Sequence, residues 1–460
     1  MLIQKLLVRR YFPSILATML MPLLTGCFTA SYAAPGDPVG ANSLSKVTQN
    51  AIDKELELLQ MATNLKLQTA PQSQWRERRW FAYSVTNQTL TVIGSLMNGC
   101  GRLQYRHTPN KAPKNLFVNA SWIRIVANAV SIAGCAAESV IDLAAQRHER
   151  ASGIDLVSYT KHAKKSLITI DDLIKQRSEL ISAEKDASRR ELLMQENSIL
   201  QDVRQCCADD LEEAYIRAKS VRASRYFQYS WVAASNAIGG GGTLANNVSS
   251  IHNKPPRFSW PGGVGDSISG SMNMVTPEAI GYAGLLGARS AGHPLVGELS
   301  FTAKDSMVEK FGSDLQAFRS TASAGAESGL TGRENVYEVE SKILAQHFSS
   351  RPMPPKGTIG RVVGNFGSAV GGGGKLTNGI EVLVGSYKYP RNAQKRFENL
   401  GAGGIAYGAG VAVAEEETLR REFASEVRWH RLPKEKRPAQ ILKSQLAQLD
   451  AARINLRAGL

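Results

Sequence analysis

Several short stretches of the chain carry side chains at spacings that match known chemistry. Ser43-Leu-Ser-Lys46, Ser158-Tyr-Thr-Lys161 and Ser182-Ala-Glu-Lys185 all fit SxxK, in which a lysine can take the proton of a serine nucleophile. Three hits on helix-forming segments show how cheaply that spacing arises. The stretch AVGGGGKLT, Ala369 to Thr377, has the glycines and lysine of a phosphate cradle. Ala369 stands where the first glycine is needed, and Leu376 where Ser or Thr would hold magnesium. Gly401-Ala-Gly403-Gly-Ile-Ala406 fits a loose dinucleotide fingerprint but follows no predicted strand. GxSxG is absent, so there is no hydrolase nucleophile elbow. The seven histidines form no HExxH or HxH grouping, so a zinc site would need distant segments. No catalytic, cofactor-binding or metal-ligating residue is assigned, and no cofactor is expected.

The amino terminus is more specific. The first ten residues carry Lys5, Arg9 and Arg10 without an acid, and the next fourteen, YFPSILATMLMPLL, carry no charge. A basic start and an apolar run shorter than the roughly 20 residues of a permanent span read as an export signal. Leu24-Thr25-Gly26-Cys27 follows directly and resembles the lipobox of bacterial lipoproteins. The resemblance covers the first 28 residues. It implies that residues 1–26 are removed, that Cys27 becomes the acylated terminus, and, because Phe28 is not acidic, that the protein is sorted to the outer membrane, facing the periplasm or the cell surface. Cleavage after Ser31-Tyr32-Ala33 is the alternative. Two acyl chains hold a protein stably at about 0.8 kcal/mol per buried methylene. Residues 27–41, with APGDPVGA at their end, then read as a tether.

Hydrophobic content of 43% and charged content of 21% are those of a folded chain. The formal charge is +15, and removing Lys5, Arg9 and Arg10 leaves +12. In an envelope compartment that charge points to anionic lipid or lipopolysaccharide and to other envelope proteins as partners, rather than to nucleic acid.

Besides Cys27 there are four cysteines, Cys100, Cys135, Cys206 and Cys207, an even number in an oxidising space with three possible pairings. On a helix, adjacent Cys206 and Cys207 diverge by about 100° and cannot join each other. That favours cross-links to the segments of Cys100 and Cys135. A straight hairpin turning near Asn110 would set those two about 22 Å apart in height, far beyond the roughly 7 Å limit on Cα separation in a disulfide. Disulfides are expected, with their connectivity open.

The elements that must position all this are helices. From Ile154 to Ile238 there is neither glycine nor proline, which predicts helix, folded back around Ser182 to Arg190. Leu200, Val203, Cys207, Leu211, Ala214, Ala218 and Val221 keep a coiled-coil step of 3 and 4. Between Gly239 and Gly410 lie 32 of the 41 glycines, and Tyr226 to Asn253 holds no Asp, Glu, Lys or Arg. Gly360, Gly364, Gly367, Gly371 and Gly374 fall on one helical stripe, which reads either as a glycine loop or as a face for close helix packing. As a lone helix in water, five such glycines would cost roughly 4–5 kcal/mol. NAIGGGGTLANNV (236–248) and SAVGGGGKLTNGI (368–380) share four glycines and the flanking alanine, leucine and asparagine. RWFAYS (79–84) resembles RYFQYS (225–230), each followed by a basic proline turn, NKAPK or NKPPR. These are traces of a duplicated unit. Leu442, Leu446, Leu449 and Leu456 mark a basic amphipathic helix at the end of the chain.

The expected fold is mainly α: a disulfide-stapled helical domain over 42–238, a glycine-rich domain over 239–414, and a terminal helix within 415–460. The expected function is that of a non-catalytic, lipid-anchored envelope scaffold or assembly component. The alternatives are a membrane-inserting or pore-forming protein using its neutral glycine-rich helices, and a periplasmic enzyme with a dispersed site.

Overall fold

The computed structural model describes residues 41–70, 74–107, 114–151, 155–252, 258–292, 295, 304–324, 328–349 and 366–458. Among them the chain is mainly α, with no strand. The helices are α1 Ala41–Thr69, α2 Gln74–His107, α3 Lys114–Ala151, α4 Leu156–Ser182, α5 Ala187–Ile251, α6 Trp260–Ala291, α7 Lys304–Ala324, α8 Ser328–Ser349, α9 Phe366–Tyr387, α10 Ala393–Arg431 and α11 Pro438–Ala458. Leu44–Leu460 forms one compact unit. The signal, Cys27 and its tether, together with Gly360 and Gly364, lie outside the described residues.

The fold-back expected near Ser182 to Arg190 is the turn between α4 and α5. Asp155 caps α4 through the Val157 amide, and Asp186 accepts from the Ser188 amide to start α5. From there α5 runs for 65 residues, about 98 Å at 1.5 Å per residue. The boundaries read at 238/239 and 414/415 fall inside α5 and α10, because the glycines that signalled a change continue those helices.

What does change along α5 is what it packs against. Its amino half joins α1, α4, α7, α8 and α11 around an aliphatic core. The predicted seam is there, with Leu200, Val203, Cys207, Leu211, Ala214 and Ala218 buried and Val221 at its end half-buried. Leu449 and Leu456 of α11 close the same core, so the terminal helix presents its apolar face to the body rather than to a surface. Burying this many aliphatic side chains supplies the drive, at about 25 cal/mol per Å² removed from water. Polar groups inside are mostly paired. Arg177 donates to Thr48 Oγ1 at 2.9 Å, to the Leu193 carbonyl at 2.9 Å, and to Glu196. Asp210 is bonded to Lys66 and, at 2.8 Å, to His347 Nδ1. Burial opposes the Asp210 charge, but Lys66 and His347 prevail and hold its carboxyl below the usual range.

Glu55 on α1 and Glu340 on α8 differ: both are fully buried, and none of their carboxyl oxygens has a hydrogen-bond partner. Burial pushes both carboxyls well above the usual range, and the charge of Glu340 adds to the shift at Glu55. A raised folded-state value means their contribution is most favourable below the unfolded value and is lost as pH rises through the folded one. Glu55→Gln and Glu340→Gln should therefore raise the melting temperature at pH 8 and leave it nearly unchanged at pH 4. Thermal denaturation of the full chain at the two pH values checks this, and equal shifts at both would contradict it.

Candidate functional site

The other six helical segments form a closed ring. In order, α2, α3, the carboxyl half of α5, α6, α9 and α10 each pack on the next, and α10 packs back on α2. Each runs antiparallel to both neighbours: Arg79 meets Glu138 while Gly101 faces Phe117, and Phe81 meets Phe423 while Gly99 faces Gly408. The hairpins α2–α3, α5–α6 and α9–α10 all turn at one end. The opposite ends of these helices lie at the other.

Glycine makes the ring possible. A β-carbon at Gly242 would sit 2.9 Å from the Asp266 nitrogen, one at Gly374 2.8 Å from the Ala406 carbonyl oxygen, and one at Gly408 2.9 Å from the Ser95 carbonyl oxygen. These backbones touch without side chains between them, the packing that small residues allow in membranes. Gly242 and Gly374, matched in the two glycine runs, both press on the second helix of their own hairpin. Gly240 and Gly372 both press on the preceding hairpin, against Asn128 and Met274, while Gly241 and Gly373 both face open space. The two echoes thus occupy equivalent places in the ring.

The ring is polar inside and apolar outside. On α2, Gln88, Thr91, Ser95, Asn98 and Arg102 are buried while Ile93, Leu96, Cys100 and Leu103 are exposed. On α3, Ser121, Arg124, Asn128 and Ser131 face in, and Val118, Trp122 and Val126 face out. On α5 the outward stripe is Ala234, Ala237, Gly241, Leu244 and Val248. The aligned windows are 82–104, 116–137, 228–251, 260–277, 366–387 and 399–414. Their charged residues are Arg102, Arg124, Asp266 and Lys375, all buried, and the half-buried Glu381. The windows are roughly 25–35 Å tall at 1.5 Å per residue, the height of a hydrocarbon core of about 30 Å.

Inside, side chains from neighbouring and next-but-one helices meet. Arg124 donates to Ser95 Oγ at 3.0 Å and lies 4.7 Å over the Tyr407 ring. Asp266 Oδ2 accepts from Asn246 at 2.8 Å and from Asn378 at 2.7 Å. The Thr243 hydroxyl lies between the Gly239 carbonyl, 3.0 Å, and Asp266 Oδ1, 3.3 Å. Arg102 of α2 donates past α3 to Asn247 of α5 at 3.3 Å. Toward the bundle end a cavity of about 200 Å³ opens among these helices, lined by Lys375, Glu415, Ser235, Asn236, Asn273 and Thr276.

Of the charges in this interior the sequence drew attention to Lys375 alone, as the lysine of a phosphate-cradle-like run, and not to Arg102, Arg124 or Asp266. Their signal was present: each of Arg124, Asp266 and Lys375 is an isolated charge in a long neutral stretch. Of the glycine stripe, Gly367, Gly371 and Gly374 lie on α9 and face α10. The loop reading of this run gives way to helix, and Lys375 follows helical glycines, not a phosphate cradle. The dinucleotide-like glycines lie within α10, and the Ser158 hydroxyl of one SxxK is committed to the Asp155 cap.

The disulfide expectation is corrected: Cys100, Cys135, Cys206 and Cys207 are all free thiols. Cys206 and Cys207 sit in the aliphatic bundle, whereas Cys100 and Cys135 sit in the ring, Cys100 on its outer face. Burial, aided by nearby carboxylates, pushes the Cys206 thiol up to about 12 and the Cys207 thiol well above its usual range, so neither is a ready nucleophile.

Comparison with protein-family models, curated proteins and solved structures finds no match for the chain. The geometry of the ring makes a direct prediction. Gly373→Ala, into open space, should stabilise by up to about 1 kcal/mol through helix propensity, whereas Gly374→Ala should destabilise. Denaturation of the two variants in detergent checks the pair, and equal effects would contradict the packing.

Proposed function

We propose that the chain is a non-catalytic integral protein of the bacterial envelope whose six-helix ring crosses a bilayer and holds a polar site on its axis. One observation carries this reading: the reversed polarity of the ring across the height of a membrane. In water, a belt of exposed apolar side chains on all six helices would be an aggregation hazard, and a charged interior would give up its hydration for little gain. In lipid both features make sense, since ionisable groups in membranes face the interior of a bundle. By mean hydropathy, one described helical stretch, within Lys114–Ser182, is long and apolar enough to span. Glycine, serine and asparagine on the inner faces lower the average of the others.

Orientation follows from charge. The three hairpin turns, 105–115, 250–260 and 386–396, contain basic residues and no acid. Such segments remain on the cytoplasmic side, which favours the inner membrane over the outer membrane that Phe28 implies. The aliphatic bundle then stands on the far side, as a platform for envelope partners. Anionic headgroups suit the basic turns.

The lipid tether and the ring are separable anchors. With the ring embedded, Cys27→Ser should leave the protein in the membrane pellet after an alkaline carbonate wash. Its release into the soluble fraction would instead return the protein to a scaffold held by lipid alone.

A further inference from the structure

We propose that the cavity on the ring axis binds a small zwitterion of the amino-acid type, an inference that rests on the membrane reading above and names the ligand class of that same site. Lys375 is 6% exposed, lines the cavity, and makes no hydrogen bond or ion pair with any described residue. An ammonium has three protons to donate, and leaving it unmatched in a poorly hydrated interior is costly. Glu415 lines the same cavity, and no ion pair joins it to Lys375. Asn87 Oδ1, on the same wall, is buried without a hydrogen-bond partner.

The helix pairings place these groups. Gly371 faces Ala414 and Gly374 faces Gly410, so Lys375 stands about five residues beyond the level of Glu415 toward the hairpin turns. That is about 7 Å along the axis at 1.5 Å per residue. Asn87, on the neighbouring helix, lies near the Glu415 level, since Phe81 meets Phe423 and Gly99 meets Gly408. The cavity therefore has a cationic end and an end with a carboxylate and an amide oxygen. A molecule with its own carboxylate and ammonium a few bonds apart, held at each end by a charge-assisted hydrogen bond of about 2.8 Å, fits that separation. A simple anion would meet Glu415, and a simple cation would meet Lys375. About 200 Å³ suits a small amino acid and excludes a nucleotide or an oligosaccharide.

The test is calorimetric titration of the detergent-purified full chain with glycine and L-alanine, against acetate and methylammonium. The expected result is binding of the amino acids at least tenfold tighter than of either half-molecule, weakened tenfold or more by Lys375→Met and by Glu415→Gln. Asn87→Ala, which leaves both charges in place, should weaken binding less and guards against loss of fold in the charge variants. Acetate binding as tightly as alanine, or no binding by any probe, overturns the proposal. If the carbonate-washed pellet retains the protein but no amino acid binds, this inference fails while the membrane reading stands. Binding by a protein that the wash releases would have the opposite meaning.

Discussion

Backbone-to-backbone contact between helices governs this molecule. Where Gly242 meets Gly262 and Gly265, where Gly374 meets Ala406 and Gly410, and where Gly408 meets Ser95, a single methyl group on the glycine named first would collide with main-chain atoms. Six helices can close around a narrow axis only if such faces are bare, and the bare faces must continue as helix. Each interior glycine costs about 1 kcal/mol of helix propensity against alanine. That cost is offset by close packing and interhelical hydrogen bonds, the terms that would remain if lipid surrounded the ring, as proposed above.

From this constraint the division of α5 follows. Its first half is an ordinary amphipathic helix in an aliphatic bundle, whose buried acids Glu196 and Asp210 are paired with cationic or polar partners. Its second half, without a single charge from Tyr226 to Ile251, turns asparagine, serine and threonine inward and alanine, leucine and valine outward. On the proposed membrane reading, one continuous helix would join two solvents. The bundle's burial drive works in water, and the ring's polar axis is economical where the surroundings are apolar.

The helical class, the return between α4 and α5, and the buried seam of α5 were legible in the sequence because they rest on local signals: breaker-free stretches and a 3–4 spacing. The glycine stripe and the echo between 236–248 and 368–380 were legible as patterns, and the structure gives them matching places in the ring. The site was not. Arg124, Asp266, Lys375 and Glu415 come from four helices, and a neutral helix does not announce which face is turned inward. The cysteines misled because evenness in number says nothing about distance, and the chain divides them between two assemblies. Glycine density suggested a domain boundary where helices continue, since glycine breaks helices in water but lines them where backbones touch.

The account depends on what surrounds the ring. Spin labels at Leu96→Cys, Val126→Cys and Leu244→Cys, outward positions on α2, α3 and α5, in protein reconstituted into liposomes, report this directly through collision with oxygen or with a water-soluble nickel complex. The account predicts strong relaxation by oxygen and little by nickel at all three. Strong relaxation by nickel at these positions would mean that water covers the belt, and the ring would not be a membrane structure.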